Sequence, residues 1–273
     1  MSGIRLIALD LDGTLLNSAL KVSERNAEAV KRALDAGVKV VLATSRWYHL
    51  AKRTAERLGI DTPLICNNGA IVKRPQDGDE LLHLRLDQEL ARDVTTLADE
   101  RGWETFTTIE DATYMRMRPG IIPERLPTGL RVSERQAEEV ARGQPTAVLV
   151  FGEEAVDEIS KRFLPAFDGS AGLRARHASF SLNRPVGLPH YLILTHPDAD
   201  KASALEIVCD DQDVPLSEVM AMGDSESDLE MLRLAGLGIA VNNSPDEVKL
   251  AALHIAPTND ADGVAWAIEQ FVL

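Results

Sequence analysis

Short apolar runs and amphipathic stretches alternate in regular order at both ends of the chain. The first run begins at Ile4 and stops at Asp10, the second covers residues 38–43 and the third 63–66. Between the first two, Ser23 fits an N-cap, Ala27, Val30 and Leu34 share one helical face, and Gly37 suits the position after the helix. Strand, helix and strand within about forty residues make a βαβ unit, which predicts parallel strands. A second helix is predicted over 47–58, closed by Gly59. The same rhythm returns after residue 200, with a helix over 201–209, strands over 219–222, 237–241 and 254–256, and a short helix over 229–234. Ser244-Pro245-Asp246-Glu247 sets out an N-cap, an N1 proline and an N3 glutamate for another helix. Asp262-Gly263 opens the last one, with Val264, Ala265, Ile268 and Val272 on its apolar face.

The middle of the chain follows a different rhythm. Short alternating strands flank a turn at 75–79, and a helix over 87–100 leads to strands over 103–109 and 112–118. Pro119, Gly120, Pro123, Pro127 and Gly129 mark a long loop, after which Ser133 and Gln136 form a capping-box pattern. A strand over 146–151, a helix over 153–166 and strands near 173–182 and 191–195 follow. Strands here come in pairs with helices set apart, an α+β arrangement. The chain is therefore predicted to be α/β, a Rossmann-like parallel sheet with helices on both faces, built from residues 1–84 and 197–273. An α+β cap domain at 85–196 is inserted between them.

Composition narrows the function classes. The 273 residues suit two domains. Aromatics make up only 4%, too few for stacking platforms on single-stranded nucleic acid. The net charge of −14 and the absence of long basic patches disfavour nucleic-acid and anionic-membrane partners. Two cysteines, Cys66 and Cys209, lie in apolar surroundings and predict neither a disulfide framework nor a zinc site. No charged-then-apolar leader pattern opens the chain, and no apolar run approaches about 18 residues, so a cytoplasmic protein is expected.

Chemistry is suggested where the apolar runs stop. Asp10 and Asp12 repel each other and are poor β formers, so folding alone does not ask for them. They suit a divalent cation beside an anionic substrate; a hairpin turn at Asp12-Gly13 is the alternative. The second run ends in Thr44-Ser45-Arg46 and the third in Asn67-Asn68-Gly69, while Lys201 opens a helix and Asp224 and Asp228 follow a later strand. Each has a simple local explanation, such as an N-cap for Asp224 or a solvated helix start for Lys201. Open α/β sheets, however, bind ligands beyond the carboxyl ends of their strands, and these residues share that rim.

Taken together, these residues resemble the haloacid dehalogenase superfamily. Asp10-Leu11-Asp12-Gly13-Thr14 is similar to its first motif, Thr44 to the second, Lys201 to the third, and Gly223-Asp224 with Asp228 to the fourth. Ile65-Cys66-Asn67-Asn68-Gly69-Ala70 and Asn259-Asp260-Ala261-Asp262-Gly263-Val264-Ala265 resemble its Cof-type phosphatases, which carry a type IIB cap. Ser45, Ser227 and Ala202 depart from the usual glycine, asparagine and glycine of that subfamily. The resemblance implies that Asp10 is the nucleophile and Asp12 the acid–base. It implies Mg²⁺ held by Asp10, the Asp12 carbonyl and Asp224, with Asp228 orienting a water on the metal. Thr44, Ser45 and Lys201 then bind phosphate, with Arg46 and Asn68 as substrate contacts. Tyr114, Arg116, Arg118, His177, Arg184 and His190 are cap candidates for substrate choice. The implied activity is hydrolysis of small phosphorylated metabolites such as sugar phosphates through an aspartyl-phosphate. A phosphosugar mutase sharing that intermediate and a non-catalytic sugar-phosphate sensor are the alternatives.

Overall fold

The computed structural model describes residues 3–117, 126, 128–163, 179–183 and 191–273. Two compact units emerge, one of residues 1–82 with 200–273 and the other of residues 83–199.

In the first unit the predicted rhythm becomes β1 (Leu6–Leu9), α1 (Glu24–Asp35), β2 (Lys39–Leu42), α2 (Tyr48–Leu58), β3 (Leu64–Cys66), β4 (Ile71–Lys73) and β5 (Glu80–His83), whose last residue begins the second unit. In the second unit follow α3 (Gln88–Arg101), β6 (Thr105–Ile109), β7 (Ala112–Arg116), β8 (Leu130–Val132), α4 (Gln136–Val140), β9 (Pro145–Phe151), α5 (Glu153–Phe163), β10 (Ser179–Asn183) and β11 (Tyr191–Thr195). The chain then returns to the first unit through α6 (Lys201–Gln212), β12 (Val219–Gly223), α7 (Leu229–Leu234), β13 (Leu237–Val241), α8 (Asp246–Ala251), β14 (His254–Ala256) and α9 (Gly263–Phe271).

Five strands form a parallel sheet in the order β14-β13-β12-β1-β2, and a parallel bridge from Ala43 to Ile65 carries the edge on to β3. Parallel strands covered on both sides must be apolar on both sides. Alternate residues therefore sort into two cores. Ile7, Leu9, Val40, Leu42, Met220 and Met222 pack with α1, α2 and α9. Leu6, Ala8, Val41, Val219, Ala221 and Ala240 pack with α6, α7 and α8. The chain leaves β1 toward β2 on one side and reaches β12 on the other. The carboxyl ends of β1 and β12 thus flank the switch point where such sheets bind ligands.

The second unit is built on a six-stranded sheet ordered β10-β11-β9-β6-β7-β8, antiparallel except where β8 runs parallel to β7. Its core gathers Val94, Leu97, Val148, Val150, Ile159, Phe163, Leu192 and Leu194. Strand β8 lies in the stretch read from sequence as loop and cap; at three residues it is too short to show a period.

Helix starts follow the sequence pattern in some places and not in others. Ser23 caps α1 by accepting from the Asn26 amide. The capping box expected at Ser133 does not form. Helix α4 begins later, and its Gln136 and Ala137 amides donate to the Asp99 carboxylate at 3.1 and 3.0 Å. Ser133 Oγ instead donates to Glu139 at 3.0 Å. The expected cap at Ser244 is also absent. Pro245 takes an extended conformation, α8 starts one residue further on, and the buried Ser244 hydroxyl has no hydrogen-bond partner. Helix α6 runs to Gln212, beyond the predicted end at residue 209, where Asp213 turns left-handed at φ 53°.

The Asp99 cap is testable. Hydrogen bonds to a charged group contribute about 1.5–3 kcal/mol and neutral ones about 0.5–1.5. Asp99→Ala is expected to lower stability to urea more than Ser133→Ala. Equal costs, or a larger cost at Ser133, would contradict the tertiary cap.

Candidate active site

The site is assembled at the ends of β1, β2 and β12 and the start of α6. Asp10 extends the parallel ladder by one step, its amide donating to the Met222 carbonyl at 3.0 Å. The chain then curls, with the Leu15 and Leu16 amides returning to the Asp10 and Leu11 carbonyls. Asp12-Gly13 does not make a hairpin, because the sheet neighbours of β1 are the parallel strands β2 and β12. Gly13 has φ +86°, and a Cβ there would stand 2.3 Å from Asp224 Oδ2. Only glycine lets the turn close on that carboxylate.

Lys201 lies at the centre of the charges. Its ammonium donates to Asp10 Oδ1 and to Asp228 Oδ1, both at 2.7 Å, and all three side chains are almost wholly buried. Burial by itself would lower the lysine's pKa. The two carboxylates more than reverse that, and the group stays charged well above its ordinary range. Lys201 is held there by its helix start. Asp200 caps α6 by accepting from the Ala202 and Ser203 amides, and the Asp200 carbonyl passes so close to Gly69 that a Cβ would sit 2.1 Å from it.

Asp228 is tied on its other oxygen. Oδ2 accepts from the Asp224 amide, the Ser225 amide and the Ser225 hydroxyl at 3.1, 3.0 and 2.9 Å. Asp224 receives one hydrogen bond, from Thr14 Oγ1 at 3.2 Å. Burial and the nearby Asp228 charge push the Asp224 carboxyl up to about 7, against the pull of Lys201 and Thr14. Burial raises Asp10 well above the usual carboxylate range, with Lys201 opposing and Asp228 and Asp224 adding to the rise. Asp10 Oδ2 is buried and has no hydrogen-bond partner. Carboxylate oxygens of Asp10, Asp224 and Asp228 lie within 4.8 Å of one another.

Asp12 stands apart from that cluster. Its carboxylate is gripped by Arg46, with Nε to Oδ2 at 2.6 Å and Nη2 to Oδ1 at 2.5 Å. The buried Thr44 hydroxyl accepts from the Arg46 amide at 3.1 Å. Ser45 is half-buried beside it. The Asn67-Asn68 turn docks on this strand end, its amides donating to the Arg46 and Thr44 carbonyls. Both asparagines are left-handed, at φ 50° and 55°, and their buried carboxamide oxygens lack partners. Direct contact thus joins Asp10, Asp224, Asp228 and Lys201 through side chains or adjoining backbone. A second group, Asp12, Thr44, Arg46 and Asn68, is linked through Arg46 and the backbone.

Sequence reasoning assigned no role to Thr14 or Asp200. Asp200 was detectable as an acid directly before a helix start; the Thr14 contact spans 210 positions and has no local signal. Among the cap candidates, Arg116 is committed within its own unit to Asp99, at 3.0 Å to the carbonyl and 3.2 Å to the carboxylate. Tyr114 accepts from Arg131 at 3.0 Å. Arg118, His177, Arg184 and His190 lie outside the described residues. Both cysteines are buried, and burial pushes the Cys209 thiol up to about 11, as expected of inert packing groups.

A protein-family model described as haloacid dehalogenase-like hydrolase matches residues 7–268. The chain is similar to phosphatase YwpJ of Bacillus subtilis (strain 168), 31% identical over 286 residues, covering 98% of this chain and 100% of that protein. It is also similar to 5-amino-6-(5-phospho-D-ribitylamino)uracil phosphatase YcsE of the same strain, at 30% identity over 99% of this chain and 96% of the relative. Among solved structures, a haloacid dehalogenase-like hydrolase from Bacteroides thetaiotaomicron matches with a TM-score of 0.80 and 25% identity, covering 98% of this chain and 99% of that one. No helix of the described residues is long and apolar enough to cross a membrane.

Removing one partner of a buried ion pair leaves its counterpart uncompensated, at about 3–5 kcal/mol. Lys201→Met should therefore destabilise the protein by that order in urea titrations run with chelator. Adding Asp228→Asn should restore part of the loss. A Lys201→Met protein as stable as the wild type would show that the ammonium does not balance these carboxylates.

Proposed function

The chain belongs to the haloacid dehalogenase-like hydrolases, and we propose that it is a Mg²⁺-dependent phosphatase of small phosphorylated metabolites, sugar phosphates first among them. The observation that carries this reading is the bare, buried Oδ2 of Asp10 beside an oxygen already neutralised by Lys201. A carboxylate with one oxygen anchored and the other unpartnered is arranged as a nucleophile. The relative named for a ribitylamino-uracil phosphate points to the same ester class, a phosphorylated polyol.

The residues present fit a hard divalent cation. Three carboxylates offer only oxygen donors within 4.8 Å of one another, and Asp224 has a single hydrogen bond. Asp10 and Asp224 would hold Mg²⁺ through their carboxylates and Asp12 through its main-chain carbonyl, with Asp228 supporting them from behind. Bound there, the ion supplies positive charge for the phosphoryl oxygens.

The chain's own groups account for the remaining chemistry. Asp10 Oδ2 attacks phosphorus while the ester oxygen departs with a proton from Asp12, leaving an acyl phosphate on Asp10. Asp12, now ionised, takes a proton from water. The resulting hydroxide adds to phosphorus, releasing inorganic phosphate and the Asp10 carboxylate. The two Arg46 hydrogen bonds hold Asp12 in the ionised form that takes the proton from water. To donate in the first step, the protonated oxygen gives up its bond to Arg46. Thr44 and Ser45 donate hydrogen bonds to the transferred oxygens, Lys201 supplies positive charge beside them, and Asn68 contacts the leaving group. Acid–base help supplies roughly 10²–10⁴ of an acceleration that reaches about 10²¹ for monoesters. Positioned charge must supply most of the rest.

Phosphate release from a panel of phosphometabolites tests the reading. Turnover should vanish in excess chelator and return with Mg²⁺, while Ca²⁺, with longer and looser coordination, restores little. Full turnover in chelator would overturn the metal assignment.

The two half-reactions separate Asp12 from Asp10. A good aryl leaving group departs without a proton, but hydrolysis of the acyl phosphate always needs a base. Asp12→Asn should show a burst of aryl alcohol and a phosphate mass shift on the Asp10 peptide, then stall. On sugar phosphates it should lose about 10²–10⁴ in rate. Asp10→Asn should show no burst. Normal sugar-phosphate turnover by Asp12→Asn would remove Asp12 from the mechanism.

A further inference from the structure

The segment Asn259–Ala261 and Asn243 before it have no part in the chemistry above, yet they are bonded to the turn that follows the nucleophile. Asn243 Nδ2 donates to the Gly13 carbonyl at 2.8 Å, and its Oδ1 accepts from the Asn259 amide at 2.9 Å. Asn259 Nδ2 donates to the Leu16 carbonyl at 2.9 Å from a buried position. Alongside, the Ser18 amide donates to Asp260 at 2.8 Å and Ser23 Oγ to Asp262 at 2.6 Å. Carbonyls that leave the β1 ladder at the turn need donors, and here side-chain amides from a distant segment supply two of them.

From these contacts we propose that Asn243, seated by Asn259, is a positioning residue that sets the Asp224 carboxylate for the cation. The Gly13 carbonyl and the Thr14 amide share one rigid peptide plane. Pinning that oxygen fixes where Thr14 begins, and the Thr14 hydroxyl donates to Asp224 Oδ1 at 3.2 Å. The same plane presses the Gly13 Cα against Asp224, with room for no Cβ. Asn243 is exposed, so water can replace its hydrogen bond and the fold loses little. The geometry of the carboxylate loses more. Outer partners of metal-binding groups commonly change metal affinity by about 10–100-fold. The inference rests on Asp224 being a cation ligand, as proposed above.

The test uses the full chain with Mn²⁺ as the probe, counting free ions by electron paramagnetic resonance without any turnover. Asn243→Ala and Thr14→Val should each weaken Mn²⁺ binding about tenfold. Their combination should fall short of the product of the two, because both act through one carboxylate. Ser18→Ala, which removes the bond from the Ser18 hydroxyl to Asp260, a neighbouring tie that bypasses Gly13, should bind Mn²⁺ as the wild type does. The melting temperature of Asn243→Ala in chelator should match that of the wild type. Unchanged affinity in Asn243→Ala, an equal loss in Ser18→Ala or a fully multiplicative double variant would overturn the positioning role while leaving the metal site standing. A wild-type protein that takes up no Mn²⁺ would overturn the metal reading itself, and the positioning role with it.

Discussion

One ammonium among three carboxylates is the constraint on which the rest of the first unit depends. Asp10, Asp224 and Asp228 bring three negative charges within 4.8 Å, and Lys201 returns one positive charge by direct contact. When all four are ionised the cluster carries two negative charges in excess. Burial first, and then the neighbouring Asp228 charge, raise the Asp224 carboxyl to about 7. A divalent cation cancels the excess, and a dianionic phosphate alone would double it. The arrangement is therefore unfavourable for folding by itself, and a bound divalent cation would remove that cost.

The fold meets the demands of that cluster through strand ends and close backbone approaches. Parallel strands with two apolar faces cannot carry charged side chains along their length, so Asp10 and Asp224 follow directly after β1 and β12. The lysine must come from a third element. Helix α6 opens on it, with Asp200 as cap and Gly69 allowing the Asp200 carbonyl to approach. Chain segments nearly two hundred positions apart thus meet within one hydrogen bond, Lys201 to Asp10.

Features with a local period or a local partner were legible in sequence. The parallel sheet, its covering helices and the Ser23 cap follow from alternation and from a hydroxyl three residues before its amide. The α+β character of the inserted stretch followed from paired strands with helices set apart. Features decided by distant groups were not legible. Ser133 has the residue type of a cap, yet the Asp99 carboxylate on another helix satisfies α4 instead. Ser244 fails because the extended Pro245 postpones the helix start. In the site, the acidic pairs and the lysine stood out by residue type. The grip of Arg46 on Asp12 and the contact of Thr14 with Asp224 cross between strand ends, where one-dimensional spacing carries no information.

The three departures from the subfamily pattern can be weighed by what each side chain touches. Asp228 is held by Lys201, two backbone amides and the Ser225 hydroxyl, none of them contributed by residue 227. Ser227 shares a hydrogen bond with that Ser225 hydroxyl at 2.9 Å, so its influence on Asp228 is one step removed. Ala202 contributes its backbone amide to the Asp200 cap, a role its methyl group does not disturb. Ser45 differs in kind from the other two. It adds a hydroxyl between Thr44, whose oxygen accepts from Arg46, and the arginine that holds Asp12. Substitutions at 202 and 227 leave the charge balance intact, whereas Ser45 adds a polar group to the strand end assigned to phosphate. Any distinctive preference of this chain that arises in the first unit is therefore best sought at Ser45.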